Sequence, residues 1–131
     1  SFGSSLDVIA LEQGETLRGY CLLNADDIVG LVILKRPPSS PEWTPHDAIS
    51  LHGLKIDRRW QGRGFGKQAF ALAARQAVTR WPDARQLVLS VDADNSAALA
   101  VSRGFGMTDS GPIHDGRIGK EHRLFVSLRA D

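Results

Sequence analysis

Three glycines alternate with an arginine and a phenylalanine in the segment Gln61-Gly-Arg-Gly-Phe-Gly66, between a predicted strand and a predicted helix. Glycines at such a turn let the backbone approach a ligand closely, because no Cβ atom stands in the way. The helix that follows begins with unpaired N–H groups and the positive end of its dipole. Together with Arg63 and Lys67, these groups predict a cradle for a pyrophosphate.

The spacing of these glycines differs from that of two other phosphate-binding motifs. A nucleotide P-loop has Gly-Lys followed by Ser or Thr, whereas Lys67 is followed by Gln68. A dinucleotide fingerprint has GxGxxG in an opening strand–helix–strand unit, whereas these glycines run GxGxG after a hairpin and a long loop. Two interpretations stay open: a turn for another phosphorylated cofactor, or a glycine-rich turn with no ligand.

His52 is the candidate general base. A strand is predicted over 48–56, and alternate residues of a strand share a face, so Ser50, His52 and Leu54 are expected to lie together. An imidazole with an ordinary pKa near 6.5 is suited to take a proton from an amine. The competing interpretation is a half-buried strand histidine with a backbone partner.

The other reactive side chains indicate no further site. Cys21 is the only cysteine and lies in an apolar run, so we expect a buried core residue and no intrachain disulfide. His46, His114 and His122 have no Cys or carboxylate at ligand spacing, so we interpret them as surface residues and expect no metal site.

Composition and charge indicate one ordinary globular domain over residues 1–131, with 42% hydrophobic and 24% charged residues. A net charge of +1 does not suggest a nucleic-acid partner. No apolar stretch approaches the roughly 20 residues of a membrane span. No signal peptide is visible, so we expect no membrane association and a cytoplasmic location. A cluster of cations is either a solvated face or charge around a cofactor: Lys55, Arg58, Arg59, Arg63 and Lys67.

The first half of the chain is predicted to supply a hairpin and a loop. Residues 1–18 are weakly patterned, with a short strand or helix over 6–11. Apolar runs over 19–23 and 28–34 flank turn-forming residues, which predicts a β-hairpin. The prolines that follow predict a loop, in which Trp43 either packs on the surface or forms a pocket rim.

The second half alternates strands with helices. Apolar residues recur at helical spacing up to Trp81, before Pro82 stops the helix, and Asp94 or Asn95 is expected to cap a second helix that ends at Gly104. This order predicts an α/β fold with a mixed sheet. The predicted elements are a strand over 48–56, a helix over 64–80, a strand over 86–91, a helix over 96–103, and strands over 105–108 and 123–128.

The segment 51–67 resembles the GNAT superfamily of N-acetyltransferases. Its turn is similar to the family's pyrophosphate motif Q-x-x-G-x-G/A, and the preceding strand and Asp57-Arg-Arg-Trp60 turn lie in the expected places. Asn95, Ala98 and Gly104-Phe105 are similar to the family's N-x-x-A…G-F pattern. The Val29-Gly30 pair also matches. The resemblance covers roughly residues 20–128 and looks closest to the diamine and spermidine acetyltransferase branch.

This resemblance implies a GNAT-like fold whose strands over 48–56 and 87–91 splay apart, with acetyl-CoA as co-substrate. Its N-terminal part is shortened, since eighteen weakly patterned residues cannot supply the family's opening strand and two helices. Strand N–H and C=O groups freed by the splay would bond the acetyl carbonyl and pantetheine amides. The residues expected to contact the cofactor are Leu54, Lys55, Ile56, Gln61, Gly62, Arg63, Gly64, Phe65, Gly66, Lys67 and Asn95.

The implied function is direct acetyl transfer from acetyl-CoA to a primary amine of a small molecule or peptide. Serotonin acetyltransferases carry a histidine nine residues before their motif, as His52 is placed here; many relatives have a carboxylate near the place of Ser50. The family often has a general-acid Tyr on the helix after Asn95. Ser102 holds the approximate place here, and the only tyrosine is Tyr20. His52, Ser50 and Ser102 are therefore the catalytic candidates.

Three alternatives stay open beside a small-amine acetyltransferase. One is a degenerate GNAT-fold module that binds coenzyme A, or another partner, without turnover. Another is a protein Nα- or lysine acetyltransferase with an open groove, which Trp43 and the proline loop could line. A homodimer that borrows part of its acceptor wall from the second subunit is also compatible with the short N-terminus.

Overall fold

The computed structural model describes residues 6–114 and 120–128. Within them, seven strands form one sheet in the order β1-β2-β3-β4-β5-β7-β6. A mixed sheet with helices packed on it was predicted, and that prediction is confirmed. The elements are β1 (Leu6–Gln13), β2 (Leu17–Asn24), β3 (Asp27–Lys35), β4 (Ala48–Ile56), a 3-10 turn (Arg58–Trp60), α1 (Phe65–Arg80), β5 (Gln86–Asp92), α2 (Ser96–Phe105), β6 (Thr108–His114) and β7 (Lys120–Ser127).

The parallel pair β4–β5 is short and opens into a gap. It pairs only Ala48–Ser50 with Gln86–Val88, while the outer edges of both strands continue to pair with β3 and β7. Beyond these residues the facing edges separate, because each strand follows its own antiparallel partner. The predicted splay of the central strands is therefore confirmed, and it creates a gap in the middle of the sheet.

Helix α1 covers one face of the sheet. Ala69, Phe70, Ala73 and Ala77 recur at helical spacing and are buried against the sheet. Small alanines let the helix approach the sheet closely. Trp81 ends the helix, is buried, and donates its indole N–H to the carbonyl of Glu15 at 2.9 Å. Neither helix of the described part has the length and apolar character needed to cross a membrane.

The opposite face, called the second face here, carries every other residue of each strand. Register places Ile33 beside His52 and Ser50 beside Val88, and Val88 beside Phe125. The neighbours of these residues along the strands, such as Leu51 and Leu124, belong to the core beneath α1. Side chains on the second face are therefore separated from the core by the sheet itself.

Two predicted boundaries near the second helix are wrong. Helix α2 does not stop at Gly104 but continues to Phe105 and ends at Gly106, which has φ 108°. The rings of Phe105 and Phe70 stack at 5.4 Å between centroids, so packing on α1 keeps Phe105 helical. The strand predicted over 105–108 therefore begins only at Thr108. For residues 6–11 the prediction was either a short strand or a short helix, and the structure has strand β1 there.

Candidate active site

The glycine-rich turn has a left-handed backbone that only glycine adopts easily. Gly62 and Gly64 both have φ 79°, and a Cβ atom at either position would meet nothing within 4 Å. Backbone strain, rather than lack of space, therefore explains the glycines. Gly64 is the N-cap of α1, and no side chain caps this end. The first turn of α1 is consequently left to bind an anion.

Side chains around this turn hold its shape. Gln61 donates its amide N–H to the carbonyl of Ile56 at 2.9 Å, which ties the turn to the end of β4. The Arg63 guanidinium lies 4.9 Å from the centre of the Trp60 ring, and that ring packs on Phe65. Gln61 and Arg63 thus stabilise the cradle, in addition to any contact with a ligand.

A cavity of about 1120 Å³ lies between the splayed strands, the turn and the two helices. Ser50 and Arg63 do not line it, because Ser50 is buried behind His52 and Arg63 lies over Trp60. The other predicted site residues do line it: His52, Leu54, Lys55, Ile56, Gln61, Gly62, Gly64, Phe65, Gly66, Lys67, Asn95 and Ser102.

The five clustered cations fall into two groups, those that line this cavity and those that lie outside it. Lys55 and Lys67 line the cavity, while Arg58, Arg59 and Arg63 are exposed outside it. The cluster is thus divided between the wall of the cavity and a solvent-exposed surface. Two lysines are placed to meet an anionic ligand, and three arginines form a solvated face.

The cavity also has walls that no sequence motif indicated. Ser90 and Asp92 of β5 line it, as do Phe70 of α1 and Val101 of α2. Alternation along the strand over 86–91, combined with the implied splay, is the signal that could have placed Ser90 in the gap. Phe70 was predicted only as part of an apolar helix face.

A β-bulge at Gly53 changes which residues of β4 share a face. Residues 31 and 33 of β3 pair with Lys55 and His52, so one residue of β3 stands opposite two of β4. Gly53 supplies the positive φ of 58° that the bulge requires. Leu54 therefore packs towards the core rather than beside His52, and the prediction that the two share a face is wrong.

Ser50 and His52 do share a face, and they touch. The Ser50 hydroxyl lies 2.7 Å from His52 Nε2 and 3.4 Å from the Lys35 carbonyl oxygen. The contact with Nε2 is the shorter of the two, and the tautomer of the ring decides whether the hydroxyl or Nε2 donates in it. Burial, and then the charge of Lys35, lower the pKa of His52, so the ring is neutral at neutral pH. The partner of its Nε2 is the Ser50 side chain, whereas the competing interpretation expected a backbone group.

The two candidate polar residues of α2 are held by the helix. Ser102 is buried and donates its hydroxyl proton to the Ala98 carbonyl at 2.8 Å. Asn95 Oδ1 accepts from the Ala98 N–H at 3.1 Å, so Asn95 rather than Asp94 is the cap, of the two candidates that were predicted. Contact of Asn95 with a ligand would thus come through its amide N–H₂ group. Tyr20 is buried in the core, where desolvation raises its pKa.

The remaining histidines and the cysteine are distributed as follows. Cys21 is buried, as predicted, and His46 is exposed. His122 is not a surface residue: its side chain is 15% exposed, and Nδ1 lies 2.8 Å from Asp109 Oδ2. The side chain of His114 lies outside the described residues. Within 6–114 and 120–128, no group of three or more His, Cys, Asp and Glu side chains could hold a metal ion.

Comparison with solved structures gives the same fold. A Bacillus subtilis acetyltransferase in complex with CoA is 16% identical, with a TM-score of 0.76, 95% of this chain and 99% of that chain covered. A spermidine N-acetyltransferase from Vibrio cholerae in complex with CoA and spermine is 17% identical, with a TM-score of 0.76 and coverage of 96% and 97%. A Salmonella typhimurium acetyltransferase that modifies the N-terminal serine of ribosomal protein L7/L12 is 18% identical, with a TM-score of 0.72 and coverage of 87% and 65%.

The family comparison is more direct. No curated protein sequence matches the chain. Residues 4–107, which include the glycine-rich turn, the splayed strands and both helices, match the acetyltransferase (GNAT) family. This match confirms the resemblance and the enzyme class that the sequence predicted. The chain belongs to the GNAT family of acetyltransferases.

Proposed function

We propose that the chain transfers the acetyl group of acetyl-CoA directly to the nitrogen of a primary amine. The observation that carries this proposal is one cavity with an uncapped helix N-terminus and two lysines at one end and a neutral histidine at the other. The helix N-terminus and the lysines suit a pyrophosphate, and the histidine suits removal of a proton from an amine. Similar structures from Bacillus subtilis and Vibrio cholerae contain CoA, which supports the same ligand here.

The residues of the cavity fit acetyl-CoA in a simple order along its length. The turn from Gly62 to Gly66 and Lys67 would hold the pyrophosphate. The bulged end of β4, from Leu54 to Ile56, faces the gap and would bond the pantetheine amides and the thioester carbonyl. Asn95 lines the opposite wall. Acetyl-CoA, when bound, would supply an acetyl group activated as a thioester.

The chemical role of the protein is proton removal and orientation. An amine with a pKa near 10 is protonated at neutral pH, so His52 would accept one proton before or during attack. The amine nitrogen forms a bond to the carbonyl carbon, the carbon–sulfur bond breaks, and the thiolate takes the second amine proton through water. Ser102 is not proposed as the acid, because its proton is donated within α2.

A module that binds coenzyme A without turnover is the second candidate. The hydrogen bond that holds the Ser102 proton, and the burial of Tyr20 in the core, favour it, since no described tyrosine lines the cavity. Both candidates share the cradle and differ only in the use of His52. An enzyme specific for a protein Nα-amine or lysine stays a third candidate for the same cavity.

Two measurements in sequence separate these candidates. Thermal unfolding is followed with and without acetyl-CoA, and thiol release is then measured with a panel of amines and amino-terminal peptides. We expect stabilisation and acceptor-dependent thiol release. Stabilisation without release for every acceptor would support the binding module instead. Failure of acetyl-CoA to stabilise the protein would refute both.

A further inference from the structure

A second cavity of about 210 Å³ lies on the second face of the sheet, beside the proline-rich loop. Trp43 of that loop, Val88 of β5, and Arg123 and Phe125 of β7 line it. Phe125 is 41% exposed, although it is a large apolar residue. The volume of the cavity is below the roughly 300–1,000 Å³ of pockets for drug-sized ligands, so the cavity suits part of a small molecule.

This cavity adjoins the candidate base on the same face of the sheet. Ser50, whose hydroxyl contacts His52, pairs with Val88, and Val88 pairs with Phe125. Neighbouring strands are about 4.8 Å apart, so the row from Ser50 to Phe125 spans roughly 10 Å. A small molecule in the cavity could therefore extend one of its groups to His52.

Arg123 places a cationic side chain at the cavity. Its guanidinium lies 4.6 Å from the centre of the Trp43 ring, and its Nη2 lies 3.6 Å from a Glu121 oxygen, beyond hydrogen-bond distance. Its Nε is buried and has no hydrogen-bond partner among the described residues. A buried N–H group without a partner is unfavourable, and a carboxylate oxygen would satisfy it.

Other charged groups on this face do not supply that oxygen. Glu121 accepts a hydrogen bond from Ser90 and makes only the long contact to Arg123. Asp92 pairs with Glu121, two residues along β5 from the Ser90–Arg123 pair, and lines the larger cavity. Lys35 and Lys55 are positive, as Arg123 is. Arg123 therefore lines the cavity while its Nε has no hydrogen-bond acceptor among the described residues.

We propose that this cavity binds the acceptor, and that the acceptor is a small amine that carries a carboxylate and an apolar or aromatic group, as an amino acid does. Arg123 would bind the carboxylate, Trp43 and Phe125 would pack on the apolar group, and the amine would reach His52. The proposal rests on the proposed function. It disfavours polyamines, because a second positive charge would face the guanidinium.

Matched acceptors test this assignment. Phenylalanine is compared with phenethylamine, and leucine with isoamylamine, since each pair differs by one carboxylate; spermidine is measured beside them. Values of kcat/KM are corrected for the fraction of neutral amine. We expect each amino acid to exceed its decarboxylated partner at least tenfold. Equal values within the pairs, or a preference for spermidine, would overturn the proposal.

Variants locate the effect. Arg123→Gln is expected to lower kcat/KM for the amino acids at least tenfold and to leave the decarboxylated amines unchanged. Arg75→Gln, at an exposed position of α1, is the matched control and should change neither. If Arg123→Gln does not fold, Phe125→Ser serves instead, because that side chain is already partly exposed. This substitution should lower kcat/KM for both amino acids, and an unchanged kcat/KM would count against the assignment.

A binding measurement separates this proposal from the proposed function. Phenylalanine and phenethylamine are titrated calorimetrically into the protein saturated with CoA, which allows no turnover. If no amine releases thiol, the proposed function fails. Phenylalanine binding that Arg123→Gln abolishes would still support the assigned ligand, whereas no detectable phenylalanine binding would overturn it.

Discussion

His52 differs from an ordinary strand histidine in its surroundings rather than in its position along the chain. Its Nε2 is held by a fully buried hydroxyl, and desolvation together with Lys35 keeps the ring neutral. A neutral ring, which carries a lone pair on one of its nitrogens, is what proton removal requires. Sequence alternation placed Ser50 and His52 on one face, but only the folded structure shows that they touch.

The pH dependence of activity tests this assignment. A base must be neutral to act, so kcat/KM should fall as pH drops through the pKa of His52, which lies below the usual 6.5. Replacement His52→Gln should lower kcat/KM at neutral pH by roughly 10²–10⁴-fold and remove this acidic limb, with unchanged CoA affinity. The measurement is kcat/KM between pH 5 and 9. A variant with the wild-type profile would exclude His52 as the base.

The charge of Lys35 provides a second, opposite test. Lys35 lowers the pKa of His52 through its positive charge, so Lys35→Gln should move the acidic limb of the pH profile upwards. Lys120→Gln removes an exposed lysine on β7 and is the control for net charge. A limb that stays in place in Lys35→Gln but moves in Lys120→Gln would contradict the assignment.

At the scale of elements, two glycine-dependent irregularities build the site. The bulge at Gly53 rotates the end of β4, so that Leu54 packs towards the core while Lys55 shares a face with His52. Gly30 on β3 permits this approach, because a Cβ atom there would collide with the Lys55 carbonyl. Gly64 begins α1 without a capping side chain. Each irregularity exposes backbone groups that a regular strand or a capped helix would use internally.

The turn before α1 can be tested by adding one methyl group. Gly64→Ala forces a left-handed alanine, at a cost of roughly 1–2 kcal/mol in backbone conformation, and should weaken CoA binding by distorting the cradle. Gly106→Ala has a similar strain at φ 108° but lies outside the cavity lining. It should reduce stability without changing CoA affinity. Calorimetric titration with CoA measures the affinity of both variants. Equal effects of the two substitutions on CoA affinity would refute the role of the turn.

At the scale of the whole molecule, the C-terminal strands depend on one carboxylate. Asp109 joins Arg103 of α2, His122 of β7 and the Gly111 N–H. Hydrogen bonds from Arg103 and His122 hold its pKa at about 2, below the usual 3.8. Because Asp109 lies on β6, this network joins α2, β6 and β7.

The sign of the pH effect on stability follows from this lowered pKa. The ionised carboxylate stabilises the fold fully above pH 3.8, and that contribution is lost as pH falls towards 2. Asp109→Asn should therefore unfold at a lower temperature at neutral pH and show a shallower loss between pH 4 and 2. Asp94→Asn, at an exposed position, is the control. Thermal unfolding followed by circular dichroism measures both, and parallel curves for wild type and Asp109→Asn would contradict the network.

The sequence alone determined the parts of this protein that depend on local order. Glycine spacing specified the turn at 61–66, and the apolar pattern with Pro82 specified α1 and β4, because turn conformation and periodic burial are properties of neighbouring residues. The family signature was local as well, and the family match confirms it. The bulge in β4 was not predicted. The alternation of residues along a strand does not reveal an extra residue when the partner strand is unknown.

Tertiary structure decided the arrangements that join distant segments. Phe105 stays helical because it stacks on Phe70, thirty-five positions earlier in the chain. Ser90 and Asp92 line the cavity because β5 leaves β4 after three pairs. Trp43 meets Arg123 only because β7 returns beside β5. Each of these depends on a long-range contact whose free energy is gained only after the sheet has formed, and for that reason no window of the sequence contains it.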